Sequence, residues 1–176
     1  MGLKFKVLKV KQITDTFLDG FAGEAAGRLM EHGANGWKAA VASEQERWDD
    51  QTRQQQIHML RQLLADKGMV AAIYDGDRLA AYMAVAADKL GEKGKSRRLM
   101  ALRVDASYRR QKVGTGLLEY AQYFLMELKG KRLLVELTPY EEAVRFFEKG
   151  GFVLSDISKK GQLTEEKSEQ NAVPEH

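Results

Sequence analysis

The sequence lacks several features that would each point to a class of site. It contains no cysteine, so disulfide bonds, a thiolate nucleophile and a zinc-thiolate site are excluded. Its histidines, His32, His58 and His176, are too scattered to suggest a metal site. No run approaches the roughly 18 consecutive apolar residues of a membrane span, and no signal-peptide pattern is present. We therefore expect no metal, no membrane association and a cytoplasmic location.

A strong excess of one charge is also missing. The 28 basic residues face 25 acidic ones, which leaves a formal net charge of +3. No base-stacking or groove-reading motif accompanies the basic residues, so nucleic-acid binding is not expected. Many basic residues do gather in one region, and a small polyanion fits that region better than a duplex. They are Lys89, Lys93, Lys95, Arg97, Arg98, Arg103, Arg109, Arg110 and Lys112.

Hydrophobic periodicity predicts one mixed α/β domain over residues 1–157. The start LKFKV alternates apolar and basic residues, which is typical of a half-buried strand. Phe17, Phe21, Ala25 and Leu29 recur at helical spacing and predict a first helix, and a second one is predicted to end near Gly68. The runs MVAAIY and RLAAYMAVAA, separated by DGD, predict a β-hairpin.

The second half continues with a strand (RRLMALRV), an amphipathic helix, an apolar strand (RLLVEL), a short helix and a last strand (FVLSDI). Residues 158–176 contain hardly any apolar side chains, and we expect them to form a polar C-terminal tail. Either the sheet ends before this tail or a partner chain completes it.

The junction VDASYRRQKVGTGLLE, residues 104–119, has the composition of an anion site. The N–H groups of a first helical turn have no partner within the helix, and the helix dipole favours negative charge there. Gly114 and Gly116 would let a ligand approach the backbone. A Walker loop is absent from the sequence, and GTGLLE has Glu119 where a dinucleotide-binding loop needs its third glycine.

The same junction resembles the pyrophosphate loop of the GNAT N-acetyltransferase superfamily, which is written as Arg or Gln, two residues, Gly, one residue, then Gly or Ala. In the preferred alignment Arg109 opens the motif, Lys112 replaces its first glycine and Gly114 is its second. A shifted alignment, from Gln111 through Gly114 to Gly116, also fits the formula, but the residues on either side of the motif then no longer match the family's pattern. The later stretch EEAVRFFEKGGF is also similar to the family's final helix and strand.

This resemblance implies a splayed central sheet in the order β-α-α-β-β-β-α-β-α-β and an acetyl-CoA-dependent transferase. The strand Arg98–Val104 would run beside the pantetheine arm, and N–H groups from Arg110 to Thr115 would surround the pyrophosphate. Lys112 would be tolerated at a glycine position if its φ is negative. The implied cofactor-binding residues are Leu102, Arg103, Val104, Arg109, Arg110, Gln111, Lys112, Val113, Gly114, Thr115 and Phe147.

In the implied reaction the acceptor amine attacks the thioester directly, so the protein supplies a base and an acid rather than a nucleophile. The tyrosine that often serves as acid in the family matches Phe147, which has no proton to give, so the hydroxyl of Tyr140 or water would replace it. Glu136, the only charged residue inside LLVEL, is the candidate base, and Asp105 is a weaker one.

The acceptor cannot be read from the sequence; a small-molecule amine and a peptide amine both fit, and the protein could be a monomer or a homodimer. Trp37 and Trp48 fall in the region that covers the acceptor pocket in the family. The alternative function is a non-catalytic acyl-CoA-binding sensor with a degenerate active site, which the loss of a tyrosine at Phe147 permits.

Overall fold

The computed structural model describes residues 2–25, 27–40, 47–87, 96–127, 132–157 and 163–167. The fold is mixed α/β, as predicted, and the described residues contain three α-helices packed on a seven-stranded sheet, whereas the predicted order has four helices and six strands. The strands are β1 (Leu3–Leu8), β2 (Met30–Gly33), β3 (Gly36–Ala39), β4 (Met69–Asp75), β5 (Arg78–Ala87), β6 (Ser96–Val104), β7 (Arg132–Leu137), β8 (Val153–Ile157) and β9 (Leu163–Lys167). The helices are α1 (Asp50–Ala65), α2 (Val113–Glu127) and α3 (Glu141–Lys149).

The main sheet has the strand order β1-β4-β5-β6-β7-β9-β8, while β2 and β3 form a separate two-stranded sheet. Strands β6 and β7 run parallel, so both point their carboxyl ends at the same edge. The predicted hairpin of β4 and β5 is confirmed, and Gly76 takes φ 62° in its turn. A parallel pair needs a crossover connection, which α2 provides here.

The two faces of the main sheet carry different hydrophobic clusters. Helix α2 covers one face through the predicted stripe of Leu117, Leu118, Ala121 and Leu125, all of which are buried. Helix α1 covers the other face with Ile57, Leu60 and Leu63. Such a two-sided core explains the near-continuous apolar sequence of the central strands. No helix among the described residues has both the length and the apolar character needed to cross a membrane.

The predicted first helix is wrong. Residues 14–20 form consecutive turns, in which Phe17 N–H donates to Thr14 C=O at 3.1 Å and Phe21 N–H donates to Leu18 C=O at 3.1 Å. Each of these hydrogen bonds joins residues three apart, and the turns bury Leu18 and Phe21, which are also three apart, a spacing that one face of a helix shares. Residues 21–25 belong to no helix or strand, and Leu29, just before β2, forms an isolated bridge to Tyr140.

The predicted end of the sheet is also wrong. Strand β9, within the predicted tail, pairs antiparallel with β7 on one side and with β8 on the other. Its sequence LTEEK has low strand propensity, but two neighbouring strands supply partners for its backbone. The chain itself therefore completes the sheet, and neither alternative considered for the tail applies. The single-domain organisation itself stays a prediction.

Candidate active site

The main sheet opens between β6 and β7. Strand β6 pairs with β5 from Arg97 to Val104, but its described register with β7 covers only Ser96–Leu99 and ends opposite Val135. Beyond that point the two parallel strands separate toward their carboxyl ends. The edge of β6 from Met100 to Val104 thus faces a gap in the sheet, and an extended polar chain could pair with it.

The loop that follows β6 has an unusual backbone. Arg110 takes φ 62° and Lys112 takes φ 63°, so both lie in the left-handed region that favours glycine. The expectation that Lys112 has a negative φ is therefore wrong, and its backbone is the one that a glycine position requires. Left-handed residues next to right-handed ones turn successive N–H groups toward a common point, which is a frequent anion-binding arrangement.

Helix α2 begins at Val113, directly after this loop. The N–H of Gly116 donates to Lys112 C=O at 3.1 Å, so the N–H groups of Val113, Gly114 and Thr115 have no partner within the helix. The first turn of α2 contains no acidic residue. Loop and helix start together offer N–H donors and positive charge to an anion.

The two glycines of the loop differ in their surroundings. A Cβ atom at Gly114 would lie 3.5 Å from Leu102, Val104 and Phe146, which is an ordinary contact. A Cβ atom at Gly116 would meet nothing within 4 Å. The start of α2 therefore packs on β6 through Gly114, whereas Gly116 faces open space.

Two of the predicted cofactor-binding arginines direct their side chains elsewhere. Arg109 donates from Nε to Val104 C=O at 3.2 Å and from Nη2 to Glu24 C=O. Arg103 donates to Gly23 C=O at 2.8 Å, and its guanidinium carbon lies 4.9 Å from the Trp48 ring centroid. Both guanidinium groups are thus bonded to an earlier segment of the chain.

That segment, which we call the strap, comprises residues 21–30, of which 21–25 and 27–30 are described. Sequence reasoning missed it, because its apolar residues matched the spacing of a helix. The described residues of the strap instead bond to the end of β6, to the loop after it and to the segment that follows β7. Trp48 lies before α1 and donates to the strap at Phe21 C=O at 2.6 Å.

A buried carboxylate at the end of β6 accepts hydrogen bonds from the start of the loop and from neighbouring segments. Asp105 is 0% exposed and accepts hydrogen bonds from Ala22 N–H at 2.8 Å, Ser107 N–H at 2.9 Å and Arg78 at 3.2 Å. These contacts give Asp105 a structural role as a turn former. Nearby, the hydroxyl of Tyr108 donates to Asp75 at 2.5 Å, and this hydrogen bond raises the pKa of the phenol.

The candidate catalytic residues lie along β7 and α3. The backbone of Glu136 directly follows Val135, the last residue paired with β6, and its side chain lies outside the described part of the chain. Tyr140 is half-buried and takes the N-cap position of α3. Phe147 is only 2% exposed and packs on Phe146 and Phe152, with ring centroids 4.9 and 5.4 Å away. Its predicted contact with a cofactor stays a prediction.

A cavity of about 230 Å³ lies between the loop and the start of α3. It is lined by Gly27, Arg110, Glu141, Glu142 and Arg145.

Two further residues singled out in the sequence contact other parts of the protein. The side chain of Gln111 donates to Ser107 C=O at 3.3 Å, and Trp37, on β3, donates to Glu148 at 3.1 Å. No group of three His, Asp or Glu residues that could hold a metal occurs in the described part of the chain.

Solved structures with this fold include several acetyltransferases. PaiA N-acetyltransferase from Thermoplasma acidophilum, in complex with coenzyme A, matches with a TM-score of 0.64 and 11% identity over 96% of this chain and 99% of the other. Nourseothricin acetyltransferase matches with a TM-score of 0.64 and 14% identity over 94% and 96%. The ribosomal-protein-S18-alanine N-acetyltransferase of Escherichia coli has a TM-score of 0.61 and 13% identity over 95% and 94%.

At these identities the similarity establishes the fold alone. No curated protein sequence matches the chain. The family model described as "Acetyltransferase (GNAT) family" matches residues 36–152, which is more than half of the sequence and includes the opening of the sheet, the loop and α3. The chain therefore belongs to the GNAT acetyltransferase family.

Proposed function

We propose that this protein is an N-acetyltransferase that transfers an acetyl group from acetyl-CoA to a primary amine by direct attack in a ternary complex. The observation that carries the proposal is the separation of β6 from β7 directly beside a loop and helix start rich in N–H donors. One of its structural relatives, PaiA N-acetyltransferase, was solved in complex with coenzyme A.

The residues of the loop fit the diphosphate of coenzyme A. The N–H groups from Arg110 to Thr115 would bind it, and the charges of Arg110 and Lys112 would offset its own. The positive φ of Lys112 supports the alignment in which this residue takes the place of the motif's first glycine. The pantetheine arm would extend from the loop into the gap and pair with the edge of β6 between Met100 and Val104.

The reaction forms a C–N bond and breaks a C–S bond. The neutral amine attacks the thioester carbonyl, its proton passes to a base, and the departing thiolate takes up a proton. Glu136 is the proposed base, because its backbone lies where the strands separate. Tyr140, at the start of α3, is the proposed source of the second proton. Positioning of the two substrates would contribute a large part of the rate.

The acceptor is proposed to be a small-molecule amine or the amine of a peptide. Of the two acidic side chains that line the cavity, Glu141 pairs with Arg145 at 2.7 Å, and Glu142 would favour the approach of a cation. We propose no nucleic-acid or membrane partner.

A second candidate function is an acyl-CoA-binding sensor without catalytic activity. The observation in its favour is Phe147, which replaces a proton donor by a buried ring. Such a protein would bind acetyl-CoA but release no thiol with any amine.

One experiment separates these functions. Thermal unfolding with coenzyme A at about a hundred times its dissociation constant should gain about 2.7 kcal/mol of stability. Thiol release from acetyl-CoA is then measured across a panel of amines. Release with at least one amine supports the transferase, and ligand stabilisation without release supports the sensor. The absence of any stabilisation would contradict both.

A further inference from the structure

We propose that Arg103 and Arg109 are positioning residues that hold the strap across the gap between β6 and β7, and that Arg109 couples the strap to the anion-binding loop. On this proposal Arg109 is not a phosphate ligand, although it opens the loop motif. The proposal depends on the proposed function only for the identity of the anion.

The strap is bonded to the end of β6 at consecutive residues. Ala22 C=O accepts from Ala106 N–H at 3.0 Å, Gly23 C=O accepts from Arg103, and Glu24 C=O accepts from Arg109. A side chain at position 23 is excluded, because its Cβ would lie 2.6 Å from the Phe21 ring. This part of the strap is therefore fixed in place.

The other end of the strap is bonded to the segment that follows β7. Glu141 N–H donates to Arg28 C=O at 2.8 Å, and Met30 N–H donates to Pro139 C=O at 2.8 Å. Strands β6 and β7 have already separated at this edge, so they make no contact there through their own backbone pairing. The strap thus joins the carboxyl ends of the two diverging strands.

The start of α2 and the strap residue Gly23, which Arg103 contacts, lie on opposite faces of β6. Leu102 and Val104 contact the start of α2, whereas the intervening Arg103 points to Trp48 on the other face, as alternation along a strand requires. A diphosphate bound to the loop would occupy the α2 face. The acceptor amine would then have to approach from the face that carries the strap.

Arg109 connects the anion-binding loop to the strap. Its backbone leads into the left-handed Arg110, while its guanidinium group bonds to the strap and to Val104 C=O. Charged donors make strong hydrogen bonds, so turning this side chain toward a phosphate would sacrifice two of them. While these bonds are kept, a movement of the loop on anion binding would also move the strap, because Arg109 is bonded to both.

Neighbouring arginines provide the matched test. Both Arg109→Gln and Arg110→Gln remove one positive charge from the loop, but Arg109 donates a hydrogen bond to Glu24 C=O of the strap, whereas Arg110 lines the cavity between the loop and α3. Each is made in a Trp37→Phe background, which leaves Trp48 as the only tryptophan. Calorimetric titration with coenzyme A measures affinity, while Trp48 emission and its quenching by acrylamide report on the strap.

We expect the background protein to change its Trp48 emission when coenzyme A is added. With Arg109→Gln the dissociation constant should change by less than about threefold, since only a screened charge is lost, while acrylamide quenching rises and the emission response disappears. With Arg110→Gln the dissociation constant should rise about tenfold, with Trp48 unaltered. Arg109→Lys should restore part of the protection, because its ammonium can donate to Glu24 C=O.

The proposal is overturned if Arg109→Gln weakens coenzyme A binding about tenfold or more while Trp48 behaves as in the background protein. An unchanged Trp48 emission in the background protein at saturating ligand would overturn the coupling. If the background protein binds no coenzyme A, the proposed function fails, but acrylamide quenching still tests the strap. If Arg109→Gln does not fold, the comparison is made with Arg109→Lys.

Discussion

The starts of helices α1 and α2 contrast in how their N–H groups are satisfied. At α1 the carboxylate of Asp49 accepts hydrogen bonds from Thr52 N–H at 2.9 Å and Thr52 Oγ1 at 3.0 Å, which lowers the pKa of Asp49 below its ordinary 3.8. At α2 the corresponding N-cap position is held by Lys112 with a positive φ, and the first turn has no acidic residue. The start of α1 is capped by its own carboxylate, whereas the start of α2 has no acidic residue and is the one we propose to bind a ligand.

This difference separates a structural helix start from a binding one. Among the three helices described, α1 and α3 carry acidic residues in the first turn, and α2 does not. A carboxylate at that point stabilises a helix but competes with an anionic ligand. If the start of α2 binds an anion as proposed, the sequence around Lys112 gives up helix stability for binding, a frequent compromise at functional sites.

The largest effect should come from making the start of α2 resemble that of α1. Lys112→Asp replaces a cation by a carboxylate beside the free N–H groups, so coenzyme A affinity should fall about a hundredfold or more. Lys112→Asn is the control, since asparagine has nearly the same shape as aspartate, tolerates positive φ and carries no charge. Calorimetry should show a loss below about tenfold for Lys112→Asn. Equal losses of coenzyme A affinity in the two variants would show that the negative charge of the aspartate is not the cause.

The proposed function gives α2 a role in binding and β7 a role in proton transfer. Glu136→Gln should therefore lower turnover at least about tenfold, because it removes the proposed base. The affinity for acetyl-CoA should hardly change. Steady-state thiol release with an active amine, combined with acetyl-CoA titration, measures both quantities. Undiminished turnover would show that another group takes the proton.

Removing the cap of α1 should affect stability alone. With Asp49→Ala the helix loses its capping acceptor, and the melting temperature should fall by about 4 °C. Coenzyme A affinity should stay as in the unaltered protein. A thermal unfolding series with and without ligand checks both statements, and a loss of affinity would show that the two helix starts are not independent.

The same cap predicts a pH dependence. Because folding lowers the pKa of Asp49, its contribution is present above the ordinary value of 3.8 and is lost as the pH falls through the lower folded value. Asp49→Asn keeps a capping oxygen that does not titrate. The stability difference between this variant and the unaltered protein should therefore shrink in acid, which unfolding curves below about pH 4 would reveal.

The smallest effect concerns the exposed glycine of α2. Gly116→Ala should raise stability by up to about 1 kcal/mol, since alanine favours a helix and its Cβ meets nothing within 4 Å. Its N–H already bonds within the helix, so coenzyme A affinity should not change. Urea unfolding and calorimetry test the two parts. A marked loss of affinity would favour the shifted alignment, in which Gly116 closes the motif.

Local signals predicted much of this architecture. The Asp-Gly-Asp turn between β4 and β5 and the apolar stripe of α2 follow from short-range rules, and both are confirmed. The spacing of Phe17 and Phe21 misled the prediction because consecutive turns bury residues at similar intervals. Strand β9 was missed because its residues have low strand propensity, and its place between β7 and β8 depends on pairing with β7, which no local pattern shows.

The site could be predicted only in part, for a similar reason. The loop was identified because its residues are contiguous. The strap was not, because the bonds from Arg103 and Arg109 span 80 and 85 residues. No local pattern indicates that the guanidinium group of Arg109 bonds to Glu24 and not to a phosphate.

The most direct test follows the backbone amides of the two helix starts by ¹⁵N–¹H NMR during a titration with coenzyme A. The account predicts that the signals of Val113, Gly114 and Thr115 shift with the ligand, whereas those of Asp50 and Thr52 at α1 do not. Loop signals that stay in place at ligand concentrations that raise the melting temperature would contradict it, since coenzyme A would then bind elsewhere.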